Sequence, residues 1–358
     1  MDYYYQNQNN SQNGEPDYYA IYTENQIKSA RSVFSRYHLA LFIYMVLSYA
    51  VVIAAELIML AVLGIDGMSD FLKNHAFVNW IFSFAPMYFI GFPVFYLIIR
   101  KMKKMPCQKR KMSASEFFSL FLISEVAMTA GSLIGEMFNG FFSILKGGAV
   151  TDHTSELIDS MPIWLTFLIV VIIGPVFEEL LFRKFMIDRF SRYGSTVAII
   201  VSAVSFGLFH GNLYQFFYAA LLGLVLGFMY AKTRNVIYPI LLHVLINFLG
   251  SVVAIPISEK MEEMFLAMEG ISNGLQIDVA KFFRNTMIVG SYTVIQYAML
   301  IGGAIMLYSY IKKRRFKIRD SWEYKIPRER VAGAVILNVG TMLFLLLSAA
   351  SFAYSIII

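Results

Sequence analysis

Apolar runs of membrane-spanning length set the terms for everything else in this chain. They fall at about 38–63, 77–99, 116–145, 162–182, 195–210, 213–231, 236–255, 287–311 and 331–357, judged against the ~20 residues a helix needs to cross a bilayer core. Lipid offers no water to the backbone, so each run must satisfy its own N–H and C=O groups, and a helix does so. Only 15% of the residues are charged and 58% are apolar, whereas about a quarter are charged in a soluble domain. The expectation is an all-α fold: a polytopic transmembrane bundle of eight or nine membrane helices with a polar cavity among the central four.

Charge orients the bundle. Lys28, Arg31 and Arg36 precede the first run, and Arg100, Lys101, Lys103, Lys104, Lys109, Arg110 and Lys111 follow the second. Arg183, Lys184, Arg189 and Arg192 follow the fourth, Lys232 and Arg234 the sixth, and the basic stretch from Lys312 to Arg330 the eighth. The segments between carry Asp66 and Asp70, then Asp152, Glu156 and Asp159, then Glu259, Glu262, Glu263, Glu269 and Asp278. Basic loops face the cytoplasm, which gives a multi-pass protein of the cell membrane with a cytoplasmic N-terminus and an external C-terminus. The net charge of +6 therefore reports orientation, not nucleic-acid binding. No Gly-rich phosphate loop or nucleotide motif is present. The one cysteine, Cys107, rules out a disulfide framework and a Cys-based zinc site. No cleavable signal peptide is expected, since the first apolar run follows a long polar tail.

Five stretches result: a polar tail over 1–35, expected to be disordered; membrane helices within 36–155; a core over 156–255; an external segment over 256–286; and membrane helices within 287–358. The Met, Phe and Glu of the external segment suit an amphipathic helix on the outer surface. Ser113-Ala114-Ser115-Glu116 has the pattern of a capping box at the start of the third run.

Within the core, Gly174-Pro175-Val176-Phe177-Glu178-Glu179-Leu180-Leu181-Phe182-Arg183 sets two adjacent glutamates where the chain should lie in lipid. Ionisable groups there are costly and point to function, although an interfacial Glu/Arg cluster ending a helix is the plain alternative. Glu179 and Arg183 are i and i+4, acid first, and form a pair on one helical face. Glu178 points about 100° away and is left without a local partner. Pro175 removes a backbone donor, kinks the helix and leaves a carbonyl that needs another partner. His210 closes Phe206-Gly207-Leu208-Phe209-His210, and His243 opens His243-Val244-Leu245-Ile246-Asn247. A lone intramembrane histidine is often a packing residue. Here an imidazole and an amide share a face one turn apart, so the economical arrangement is one polar cavity shared by Glu178, His210, His243 and Asn247. His38, His75 and His153 are simplest as interfacial or solvated. Glu56, Glu125 and Glu136 are expected to be buried and are not assigned to the cavity.

That inventory suits hydrolysis by activated water. A glutamate in a low-dielectric site takes up a proton more readily than one in water, as a general base must. His210 would orient the water, and His243 and Asn247 are donors for an oxyanion. No Ser or Cys nucleophile is needed. A rhomboid-like Gly-x-Ser-Gly element is absent, and the aspartates sit in loops, unlike a presenilin-like pair.

Glu178-Glu179-x-x-x-Arg183, Phe206-x-x-x-His210 and His243-x-x-x-Asn247, in this order on consecutive apolar runs, resemble the CPBP family of intramembrane proteases. This family is also called the CAAX protease or Abi family, and it includes the Rce1-type prenyl-protein endopeptidases. The resemblance covers about residues 160–250. It implies Glu178 as base with His210 assisting, His243 and Asn247 at the oxyanion, and Glu179, Arg183 and Phe206 in support. The substrate would be a membrane-associated protein or peptide, prenylated or not, with the bilayer as the other partner. No cofactor is required on this reading. The family is nevertheless often filed under metalloproteases, and zinc held by Glu178, His210 and His243 is the alternative. Two other readings stay open: a non-catalytic bacteriocin-immunity or scaffold protein of the same family, and a proton-coupled transporter, against which stands the lack of an inverted repeat. One tension remains. Counted from the charged loops, Glu178 and His243 lie near the basic face but His210 at the far end of its run. Either 195–231 is a shallow or tilted hairpin, or the cavity reaches mid-membrane.

Overall fold

The computed structural model describes residues 18–106, 108–148, 150, 161–318 and 326–357. Residues 1–17 of the tail, Cys107, the outer-loop Asp152, His153, Glu156 and Asp159, and 319–325 of the last basic segment lie outside the described residues. Among the described residues all regular structure is helical. Eight helices are long and apolar enough to cross a membrane: Ile21–Leu72, Trp80–Ile99, Ala114–Lys146, Ile163–Tyr193, Leu213–Thr233, Ile237–Ser272, Val279–Lys312 and Val339–Ile357. The protein is a multi-pass helical membrane protein.

We number the helices α1 (Tyr18–Asn74), α2 (Ala76–Pro86), α3 (Phe92–Ile99), α4 (Ala114–Lys146), α5 (Ile163–Tyr193), α6 (Ser195–Phe209), α7 (Leu213–Thr233), α8 (Ile237–Asn247), α9 (Ala254–Ser272), α10 (Val279–Lys312), α11 (Arg328–Ile336) and α12 (Val339–Ile357). Single π-helical stretches join α2 to α3 (Met87–Gly91) and α8 to α9 (Phe248–Val253). The chain forms two compact units.

In the first unit the helix begins at Tyr18, so residues 18–35 are helical and not part of a disordered tail. The cause is a stripe of Ile27, Ala30, Phe34 and Tyr37 at helical spacing, all buried. The Phe34 and Tyr37 rings meet Phe190 at 4.6 and 5.2 Å. His38 is also buried, not interfacial: Nδ1 lies 2.9 Å from the Phe34 carbonyl and 3.0 Å from Thr341 Oγ1. Gly64, at φ 70°, breaks α1 before Asp66 and Asp70. The last apolar run is split by Asn338, whose Oδ1 accepts the Thr341 N–H at 2.9 Å and starts α12.

In the second unit α4 opens as expected, with Ser113 Oγ accepting the Glu116 N–H at 3.2 Å. The Glu116 carboxylate pairs with Lys232. Glu56 and Glu136 lie on exposed helical faces and Glu125 is half-buried, so the expected burial of all three is not observed. The external segment is a helix, turn and helix: α9 continues the line of α8, and Glu263 binds Lys281 (3.0 Å) and Asn285 (2.7 Å) at the start of α10. Leu120, Phe121, Leu226, Met229, Leu242, Ile246 and Tyr310 form the core of α4, α7, α8 and α10.

Small residues let backbones approach where lipid provides no hydrophobic drive. A Cβ on Gly207 would lie 2.6 Å from the Phe216 carbonyl oxygen, and one on Gly223 2.9 Å from Ala203 Cα. The α6–α7 hairpin is clamped by these contacts and turned at Gly211, whose φ of 73° only glycine adopts freely. At 15 residues α6 rises about 22 Å, short of the ~30 Å hydrocarbon core. Gly223→Val is expected to cost about 1–3 kcal/mol by overpacking, read as a lower midpoint of thermal unfolding in detergent.

Candidate active site

Every residue singled out in the core lies in the second unit, on α5, on α8 or where α6 ends. α5 is the least regular helix of the protein. It changes from a π-helical stretch (Phe167–Ile173) to one α turn (Gly174–Glu178), then to a second π-helical stretch (Glu179–Ile187). Such insertions are frequent at functional sites. The two glutamates stand on either side of the second change.

The glutamates are divided as the helical-face argument requires. Glu179 and Arg183 are both fully buried, 3.1 Å apart. Glu178 keeps about a quarter of its side chain exposed. A fully buried pair needs more than Coulomb attraction to offset desolvation, and two further contacts supply it. His243 Nδ1 lies 3.0 Å from the same Glu179 oxygen, and the Phe206 ring stacks under the guanidinium at 4.2 Å. Arg183 Nε, Nη1 and Nη2 have no hydrogen-bond partner among the described residues, so the ion pair at Nη1 and this aromatic face are their compensation.

Phe206 is the hub of the cluster. Its ring also meets the imidazoles of His210 (4.8 Å) and His243 (5.7 Å), both edge to face. The α6 helix that carries it is tied to α5 by Ser202 Oγ, which donates to the Phe182 carbonyl at 2.7 Å. Sequence reasoning did not find Ser202. Its signal was a buried hydroxyl one turn before Phe206, facing a helix whose π register loosens its own carbonyl bonding.

His210 caps its own helix end through Nδ1, 2.8 Å from the Phe206 carbonyl. Nε2 is left for the site, and Glu178, His243 and Arg183 are its electrostatic neighbours. His243 is oriented by Glu179 through Nδ1, and its Nε2 faces the free Glu178 carboxylate at 3.6 Å. That gap exceeds a direct hydrogen bond. Asn247 departs from the expected arrangement. Nδ2 donates to the Val170 carbonyl at 2.9 Å, a partner the spacing of His243 and Asn247 did not suggest and one that occupies one of its two N–H donors.

A zinc site on Glu178, His210 and His243 finds no support in the geometry. Among the described residues no group of three or more His, Cys, Asp or Glu side chains is placed to hold a metal ion.

Residues 160–249 match the family described as "Type II CAAX prenyl endopeptidase Rce1-like". This segment is similar to that family. It contains Glu178, Glu179, Arg183, Phe206, His210, His243 and Asn247, so the whole cluster falls inside the match. The chain is also similar to "Putative membrane peptidase YdiL" of Bacillus subtilis (strain 168), 25% identical over 152 residues, covering 42% of this chain and 62% of that protein. It is 26% identical over 120 residues to "UPF0177 protein YbdI" of Lactococcus lactis subsp. lactis (strain IL1403), covering 33% of this chain and 65% of the relative. Each match spans a little under two thirds of the relative's length. No solved structure matches the chain.

The Rce1-like cluster depends on its buried pair. Arg183→Met strands the Glu179 carboxylate and should cost about 3–5 kcal/mol. Adding Glu179→Leu should recover part of that loss, because the stranded charge is gone. Thermal unfolding of both variants checks the order.

Proposed function

We propose that the protein is an intramembrane endopeptidase of CAAX type that hydrolyses a peptide bond in a membrane-associated protein or peptide, using water activated by Glu178. The observation that carries this reading is the division of labour between adjacent glutamates. Glu179 is fully buried and bound on two sides, while Glu178 is partly exposed and faced by His243 Nε2. The Rce1-like match over 160–249 and the membrane-peptidase name of one relative support the same class.

In this mechanism Glu178 takes a proton from water as its oxygen attacks the peptide carbonyl carbon. His210, held by its own helix end, orients that water. His243, fixed by Glu179 through Nδ1–H, meets the developing oxyanion through Nε2–H, with both ring nitrogens protonated. The C–N bond then breaks as Glu178 returns its proton to the leaving nitrogen, giving an amine and a carboxylic acid. No step passes through a metal. On this reading the basic loops face the cytoplasm, with the N-terminus inside and the C-terminus outside, and the substrate enters from the cytoplasmic side.

The test is cleavage of a fluorogenic, membrane-tethered peptide library by the purified protein. Glu178→Ala and His210→Ala should each lower the rate by about 100-fold or more, and a strong chelator should leave wild type unchanged. Loss of cleavage with chelator and its return with zinc would put Glu178, His210 and His243 around a metal. No cleavage by the folded wild type would favour an immunity or scaffold role.

A further inference from the structure

Proline at position 175 leaves a specific vacancy in the hydrogen bonding of α5. The Gly174 N–H bonds the Ile169 carbonyl, five residues back, in the π register of Phe167–Ile173. The next bond in that register would run from the N–H of residue 175 to the Val170 carbonyl. Residue 175 is proline and has no N–H. The Val170 oxygen is therefore without a donor in its own helix, at membrane depth, where an unmet carbonyl is costly.

Asn247 supplies that donor from α8, with Nδ2 2.9 Å from the Val170 oxygen. The Asn247 main-chain carbonyl in turn accepts Ser251 Oγ at 2.5 Å, so the residue is anchored on both sides. Beyond Pro175 the register is reset: the Glu179 N–H reaches the Pro175 and Val176 carbonyls, closing the one α turn that carries Glu178. That turn exists only if the π stretch before it is held open.

We propose that Asn247 is a positioning residue whose side-chain amide replaces the N–H missing at Pro175, holding the register of α5 that aims Glu178. It acts through the backbone of α5 and not by contact with substrate. This differs from the oxyanion role that the family resemblance implies. Its effect on cleavage rests on the endopeptidase reading, but its effect on stability does not.

The two roles separate in a cycle of Asn247→Ala, Pro175→Ala and the double variant. Alanine at 175 restores the backbone donor. Asn247→Ala alone should lower the midpoint of thermal unfolding in detergent by several degrees and slow cleavage of the best wild-type library peptide about tenfold. Pro175→Ala should stay near wild type in both measurements, and the double variant should match Pro175→Ala. If Asn247→Ala alone does not fold, folding of the double variant is the same rescue. An oxyanion donor predicts equal loss of rate in both backgrounds. That result, or a double variant that fails to fold, or no effect of Asn247→Ala on either measurement, would overturn the proposal. Should wild type cleave no library peptide, the endopeptidase reading fails while the melting cycle still decides this one.

Discussion

A buried guanidinium–carboxylate pair underlies the arrangement of the site. Glu179 and Arg183 sit in a layer where either charge alone would be prohibitive. Their neighbours are the groups that make the pair tolerable: the Phe206 ring beneath Arg183 and the His243 nitrogen against Glu179. Each neighbour is thereby fixed. Phe206 fixes the edges of both imidazoles, and Glu179 fixes which nitrogen of His243 is turned away. What remains is one carboxylate, Glu178, adjacent in sequence yet on the open side.

The surrounding bundle is built so that this arrangement can form from distant parts of the chain. Without a hydrophobic drive between helices in lipid, close backbone contact does the work, and Gly207 and Gly223 bring α6 against α7. α6 ends at Phe209, and the next residue, His210, is held against the Phe206 ring, which also meets His243 of α8. The irregularity of α5 belongs to the same design. Two π-helical stretches separated by one α turn rotate Glu178 and Glu179 into different surroundings without a loop, which lipid would not accept.

Much of this was legible in the sequence because lipid makes polar groups conspicuous. The all-helical fold, the Glu179–Arg183 pair and the isolation of Glu178 follow from composition and helical spacing. The convergence of His210 and His243 followed from their having no other affordable surroundings. What the sequence hid depended on register. Asn247 was visible as a polar residue, and Pro175 as the source of an orphaned carbonyl. Linking them needed the five-residue bonding step at Gly174, which no side-chain pattern announces. Likewise residues 18–35 looked too polar for ordered structure until packing showed one buried face, and Glu56 and Glu136 looked buried because hydropathy cannot tell which face of a helix meets a neighbour.

The central claim is that two consecutive glutamates serve different ends, one holding the site together and one reacting. The most direct measurement compares Glu178→Gln with Glu179→Gln in cleavage rate and unfolding midpoint, side by side in the same detergent. The account predicts that Glu178→Gln loses cleavage and keeps its midpoint, while Glu179→Gln loses midpoint and cleavage together. Wild-type cleavage by Glu178→Gln, or equal midpoints for the two variants, would contradict it.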